Sequence, residues 1–198
     1  EQRASARRYF DLALDLLRPA EPRLVAVGGL SGSGKSTVAK AVAARVGPAP
    51  GARTISSDRL RKRSFGVSPE TRLPADAYRP EVTEAVYRKL AEASGAVLAL
   101  RHGVVADATF EHPGERAHIE AVAGQAGTGF LGLWLDVPAA ELLRRVAARS
   151  GDPSDATPDV VSRQLQRDHG AVGWTSVDGS GSPETVANRA REIVAASG

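Results

Sequence analysis

The 198-residue sequence contains no cysteine and no methionine. Without cysteine there is no disulfide framework, no thiolate nucleophile and no thiolate metal site, and such a composition suits a reducing cytoplasm. Methionine is missing even at position 1, so the chain as given is expected to start inside a longer reading frame or to have been trimmed. Aromatic residues make up only 5%, too few for a broad surface on which single-stranded nucleic acid could stack. The net charge is only +3, and no long basic block gathers it into a phosphate-binding stripe. No apolar run reaches the roughly 20 residues that cross a bilayer, and no signal peptide opens the sequence. These absences lead us to expect a cytoplasmic protein with no membrane association. The four histidines (102, 112, 118 and 169) have neither metal-ligand nor catalytic-triad spacing.

What remains is ordinary for one globular domain: 42% hydrophobic and 25% charged residues. The basic residues are mostly arginine, since only four of the 26 are lysine. Arginine suits bidentate contact with phosphate, although a GC-rich genome would also favour it. Residues 3–17 have the spacing of a helix, with Phe10, Ala13, Leu14 and Leu17 as an apolar stripe that Pro19 and Pro22 end. Beyond it, strand-like and helix-like segments alternate. Strands are expected at Leu24–Gly28, Arg53–Ser56, Val104–Ala106, Phe130–Asp136 and Trp174–Val177. Helices are expected at Ser36–Val46, Glu81–Leu100 (with Gly95 as a possible interruption), Pro113–Ala126, Pro138–Arg149, Pro158–His169 and Pro183–Ala196. Such alternation calls for a parallel sheet with helices on both faces, an α/β fold. Trp134 and Trp174 sit in apolar contexts and read as core.

The most specific signal is GLSGSGKST, from Gly29 to Thr37, between the first strand and the first helix of that series. Gly29 and Gly34-Lys35-Ser36 match G-x-x-x-x-G-K-[ST]. Glycines let the backbone turn at positive φ and close on an anion, and the exposed N–H groups and helix N-terminus then face phosphate. The candidate nucleotide-binding residues are Gly29, Ser31, Gly32, Ser33, Gly34, Lys35, Ser36 and Thr37. Lys35 has the reach for the β- and γ-phosphates, and Ser36 can ligate Mg²⁺. The rival dinucleotide fingerprint fits poorly, because Thr37 stands where it needs glycine or alanine.

Three further places carry candidate chemistry. In SSDRLRKR, Asp58 follows the second strand at the end where α/β sheets bind ligands, and could accept a hydroxyl proton or cap a helix starting at Arg59. Arg61 lies one turn later and could reach the same acceptor. Asp107 ends the apolar strand Val104–Ala106 and suits an Mg²⁺ site, and Arg116 on the next helix could point at the acceptor pocket. Arg145 and Arg149 share a helical face just before the polar loop SGDPSDAT, where a closing lid could bring positive charge to the transferring phosphoryl group.

With the P-loop, SSDRLRKR, VVADATF and GDPSDAT in this order, the chain resembles the small P-loop kinases. That group includes polynucleotide kinase, gluconate kinase, chloramphenicol phosphotransferase and zeta toxins. It is most similar to the AAA-type kinase domain that follows an aminoglycoside-phosphotransferase-like domain in some bacterial proteins. The resemblance runs from Arg23 to Val194. It implies a three-layer P-loop NTPase fold, a five-stranded parallel sheet in the order 2-3-1-4-5 and a lid near 149–157. Residues 1–22 would then be a helix and linker before the kinase domain at 23–198, and the tail of an upstream module. In polynucleotide kinase an aspartate after the second strand is the base and an arginine three residues on holds a substrate phosphate; the matching positions here are Asp58 and Arg61.

The expectation is therefore an ATP- and Mg²⁺-dependent kinase acting on a hydroxyl of a small molecule. Lys35, Asp58, Arg145 and Arg149 would carry catalysis, Ser36 and Asp107 would hold the metal, and Asp58, Arg61 and Arg116 would meet the acceptor. Two alternatives stay open: a 5′-hydroxyl polynucleotide kinase, and a nucleotide-sensing module that regulates a fused partner.

Overall fold

The computed structural model describes residues 2–17, 21–148 and 154–197. Five strands form one all-parallel sheet: β1 (Arg23–Gly28), β2 (Arg53–Ser56), β3 (Val104–Asp107), β4 (Gly129–Asp136) and β5 (Thr175–Asp178). Their order is β2-β3-β1-β4-β5, as the resemblance implies. The described helices are α1 (Gln2–Leu17), α2 (Lys35–Ala43), α3 (Ser57–Ser64), α4 (Pro80–Ala99), α5 (Pro113–Gln125), α6 (Ala139–Ala147), α7 (Pro158–Leu165) and α8 (Pro183–Ala196), with a 3₁₀ turn at Ala75–Tyr78.

The central strands are apolar throughout because helices cover both faces. On β1, Leu24 and Ala26 pack with Leu90 of α4 and Ile119 of α5. Val25 and Val27 point the other way, onto Val38 and Val42 of α2 and Val186 and Ala190 of α8. The period-two alternation of a strand thus divides one apolar run between two layers. A third apolar group, Val137, Leu142, Val146 and Val161, joins α6 to α7.

Several boundaries differ from the expectation. The helix after β2 begins at Ser57, so Asp58 lies in its first turn. Gly95 does not interrupt α4; a Cβ there would lie 3.8 Å from Val122 of α5, so the glycine sits at a helix–helix contact. The last strand starts at Thr175, while Trp174 packs edge-on to Phe110 at 5.0 Å and donates its indole N–H to Glu120 at 2.6 Å. The ring fits because position 132 is glycine: a Cβ there would lie 2.3 Å from it. On α1 Phe10 and Leu14 of the apolar stripe do not join the core, being 61% and 46% exposed. Among the described residues no helix is long and apolar enough to cross a membrane.

Candidate active site

Strand register decides which side chains meet. Ser56 of β2 lies beside Asp107 of β3, and Asp107 beside Val27 of β1. The P-loop leaves β1 and α3 leaves β2 at the same carboxyl edge, where open α/β sheets bind ligands. There a cavity of about 340 Å³ is lined by Lys35, Ser36, Asp58, Arg61 and Asp107, among others.

The P-loop turns through Gly29, Gly32 and Gly34 at φ of 133°, 93° and 95°. At Gly29 the backbone is also crowded: a Cβ would lie 2.8 Å from the Leu135 carbonyl. Gly34 hands the chain to α2, whose first residue is Lys35. The Lys35 ammonium donates to the Leu30 carbonyl at 2.9 Å. The Ser36 hydroxyl donates to Asp107 Oδ2 at 2.7 Å, which puts a hydroxyl and a carboxylate where a hard cation would bind. No group of three or more His, Cys, Asp or Glu that could hold a metal occurs among the described residues. Two protein oxygens are what an Mg²⁺ ion needs when nucleotide oxygens and water complete its shell. Ser33 Oγ is buried inside the same loop without a hydrogen-bond partner, and Ser33 is not among the residues that line the cavity.

Asp58 lines the cavity, and burial raises its pKa. Lys35 and Arg61 pull it down, while Asp107 and Asp155 push it up. Arg61 is 6% exposed. It donates to the Ala77 carbonyl at 2.7 Å and to the Thr83 hydroxyl at 3.3 Å, and it lies 4.7 Å over the Tyr78 ring. Its Nε has no partner.

Two of the expected arginines are not brought into the cavity. Arg116 is buried and spends its guanidinium on the carbonyls of Phe110, Glu111, His169 and Ala171 at 2.6–3.2 Å. It holds two loops together and does not line the cavity. Arg145 pairs with Glu141 at 2.7 Å and donates to the carbonyls of Gly179 and Gly181, tying α6 to the loop after β5. Arg149 lies outside the described residues, as do the other residues of 149–153 in the expected lid. Ser154, Asp155 and Ala156 line the cavity, and Thr157 caps α7 by accepting from Val160 N–H, as its sequence position suggests.

Sequence reasoning missed the far side of that loop. Arg163 on α7 and Arg167, just past the end of that helix, line the cavity. Arg167 pairs with Glu111 at 3.0 Å. Between them Gln164, 5% exposed, accepts from the backbone N–H of Ser31 at 3.0 Å and donates to Glu111. The i, i+4 arginine spacing is present in the sequence at 163 and 167 as well as at 145 and 149.

A buried ion pair closes the wall. The Lys62 ammonium, 1% exposed, reaches Asp155 Oδ1 at 3.0 Å and the Pro69 carbonyl at 2.9 Å. Asp155 also accepts from Leu73 N–H and from the Tyr78 hydroxyl. Burial alone would raise the Asp155 carboxyl, but Tyr78, Leu73 and Lys62 hold it below the usual carboxylate range. Removing one partner strands the other charge in the interior, so Lys62→Ala is expected to cost about 3–5 kcal/mol of stability, read from urea unfolding. A cost within the range of a surface pair would show that the bond does not persist in solution. Because the folded pKa of Asp155 is depressed, its contribution is full above the unfolded value and is lost as pH falls through the folded one.

Comparison with known proteins now has a geometry to meet. A family model described as an AAA domain matches residues 24–169. The chain belongs to this AAA-domain family. Uncharacterized proteins of Mycobacterium tuberculosis H37Rv and Mycobacterium bovis are 30% identical to it over 171 residues, which is 84% of this chain and 34% of theirs. The chain thus spans about a third of the length of these relatives. Among solved structures, a gluconokinase from Sinorhizobium meliloti 1021 is 26% identical with a TM-score of 0.58, covering 90% of this chain and 94% of that one. The APS kinase CysC of Mycobacterium tuberculosis, solved with AMPPNP and APS, is 20% identical with a TM-score of 0.60, covering 89% and 98%. Its likeness shows the fold. The AAA-domain protein therefore has a P-loop kinase-like fold, with its phosphate loop at the carboxyl edge of the sheet.

Proposed function

We propose that this AAA-domain protein is a kinase that moves the γ-phosphoryl group of ATP to a hydroxyl of a small molecule. One observation carries the reading: a carboxylate, Asp58, shares the P-loop cavity with Lys35 and with the Ser36–Asp107 pair. A protein that only sensed nucleotide would have no use for an acceptor base there. The gluconokinase likeness supports a polyhydroxylated acceptor.

Bound with Mg²⁺, ATP would supply the electrophilic phosphorus and a leaving group already neutralised in part. Lys35 places a positive charge at the end of the P-loop, where charge builds up during transfer. Ser36 and Asp107 would hold the metal. Asp58 orients the acceptor hydroxyl and takes its proton as the new O–P bond forms and the bond to the ADP oxygen breaks. Arg61, which lines the cavity, would help to hold the acceptor. Arg163, which lines the cavity, would bring positive charge to the transferring phosphoryl group; Arg145 is tied to the loop after β5, and Arg149 lies outside the described residues. Helix α1 (Gln2–Leu17) would act as a connector, which in a longer protein would lead from a neighbouring domain.

The test is ADP production from ATP and Mg²⁺ across hydroxyl acceptors: sugars, sugar acids, aminoglycosides, nucleosides and 5′-hydroxyl oligonucleotides. A large rise with one small-molecule class is the expected result. A rise with oligonucleotides alone would make it a polynucleotide kinase. Slow ADP release that no acceptor raises would favour the sensing module.

A further inference from the structure

One buried glutamine joins three separate parts of the cavity wall. Gln164, on α7, is 5% exposed. Its amide oxygen accepts the backbone N–H of Ser31, in the phosphate loop, at 3.0 Å. Its amide nitrogen donates to Oε1 of Glu111, in the loop after β3. Arg167, just past the end of α7, donates to the other oxygen of Glu111 at 3.0 Å. Arg116 stakes the frame: it donates to the Glu111 carbonyl and to those of His169 and Ala171, so one guanidinium holds the loop after β3 and the chain after α7. Gln164 lies 133 positions from Ser31 and 53 from Glu111, so no local pattern shows this relay.

A buried amide is costly here. Glutamine is seldom buried, and its burial is unfavourable unless both ends are bonded. Packing alone does not need it. Val161 of α7 already packs with Leu142 and Val146 of α6, and Leu30 of the phosphate loop joins the same group. Apolar contact is non-directional, so it lets one surface slide over another. A hydrogen bond holds only over a narrow range of distance and angle, so Gln164 fixes where α7 stands along the phosphate loop. Arg163 is its neighbour on that helix and lines the cavity. The Arg163 guanidinium donates to the Asp159 carbonyl of α7 itself at 3.3 Å, so its charge goes where the helix goes.

We infer that Gln164 is a positioning residue: through Ser31 and Glu111 it holds α7 on the phosphate loop so that Arg163 faces the terminal phosphoryl group of the bound nucleotide. This rests on the reading of the cavity as the ATP site of a kinase. Gln164 acts through Arg163 and on no reacting atom itself.

Calorimetry with Mg²⁺ would titrate AMP-PNP and ADP into wild type, Gln164→Leu, Arg163→Ala and the double variant. Leucine keeps the burial and removes both hydrogen bonds. The expected result is that Gln164→Leu weakens AMP-PNP binding about tenfold and leaves ADP binding within about twofold, since only AMP-PNP carries the group that Arg163 meets. Arg163→Ala should do the same. The double variant should be no weaker than Arg163→Ala, because residues that act through one another are not additive. Equal weakening of both nucleotides, unchanged affinity, or additive losses in the double variant overturns the inference. Gln164→Met, unbranched like glutamine, serves the same comparison if thermal melting shows that the leucine variant does not fold. Wild-type protein that binds neither nucleotide overturns the inference together with the ATP site. No phosphoryl transfer enters the readout, so an additive result leaves the kinase reading to the ADP-production assay. The expected pattern in a protein that transfers to no acceptor would keep the role of Gln164 and reject the kinase.

Discussion

Asp58→Asn should lower kcat by about three orders of magnitude while nucleotide binding stays near that of wild type. A positioned general base is worth roughly 10²–10⁴-fold, and the amide preserves the shape of the side chain while removing its ability to take a proton. The acid side of the wild-type pH profile gives an independent reading. Burial raises the Asp58 pKa before the cations offset part of it. The group must lose its proton before it can accept one, so kcat/KM for the acceptor should fall with acid at a pH above the ordinary aspartate value of about 3.9. That limb should be missing from the residual activity of Asp58→Asn. The measurements are steady-state kinetics across pH and calorimetric titration with AMP-PNP. A loss of less than tenfold, with an unaltered profile, would remove Asp58 from the chemistry and leave the nucleotide-sensing reading in its place.

Lys35→Ala is expected to be as severe, with a loss of about 10³-fold or more in kcat, and to weaken nucleotide binding as well. Phosphoryl transfer is driven by positioning and by charges fixed in advance, with little covalent work for the protein. Lys35 is held at the first position of α2 and donates to the Leu30 carbonyl across the loop. Its charge is thereby aimed before anything binds. Lys35→Arg should recover little, because a planar fork does not replace a compact ammonium in a tight loop. Thermal melting of both variants separates lost chemistry from a disturbed loop. Near-normal turnover in a folded Lys35→Ala protein would defeat the proposed mechanism.

The two positions differ in how legible they were. Lys35 is fixed by a local pattern, because a phosphate loop is built from consecutive residues and its glycines must occupy set places. Asp58 was legible by position alone: a carboxylate at the end of a strand that the fold class brings to the binding edge. The arginines show where this kind of reading stops. Arg116 and Arg145 have the same residue type and helical setting as Arg163, yet they face backbone carbonyls rather than the cavity. A guanidinium satisfies a carbonyl or a phosphate with the same N–H groups, so its partner depends on which loop is folded over it. The Lys62–Asp155 pair was invisible for a related reason: its members are 93 positions apart, and lysine in a basic run reads as a solvated face.

By itself, then, the sequence determined the α/β class, the phosphate loop, and the carboxylates Asp107 at the end of β3 and Asp58 just after β2, because periodicity and short motifs act over a few residues. The tertiary structure alone decided which cations face the cavity, how Asp155 is locked to Lys62, and that Arg116 and Arg145 are spent on backbone carbonyls. Those depend on how distant segments pack, and burial, not residue type, sets what each charge there can do.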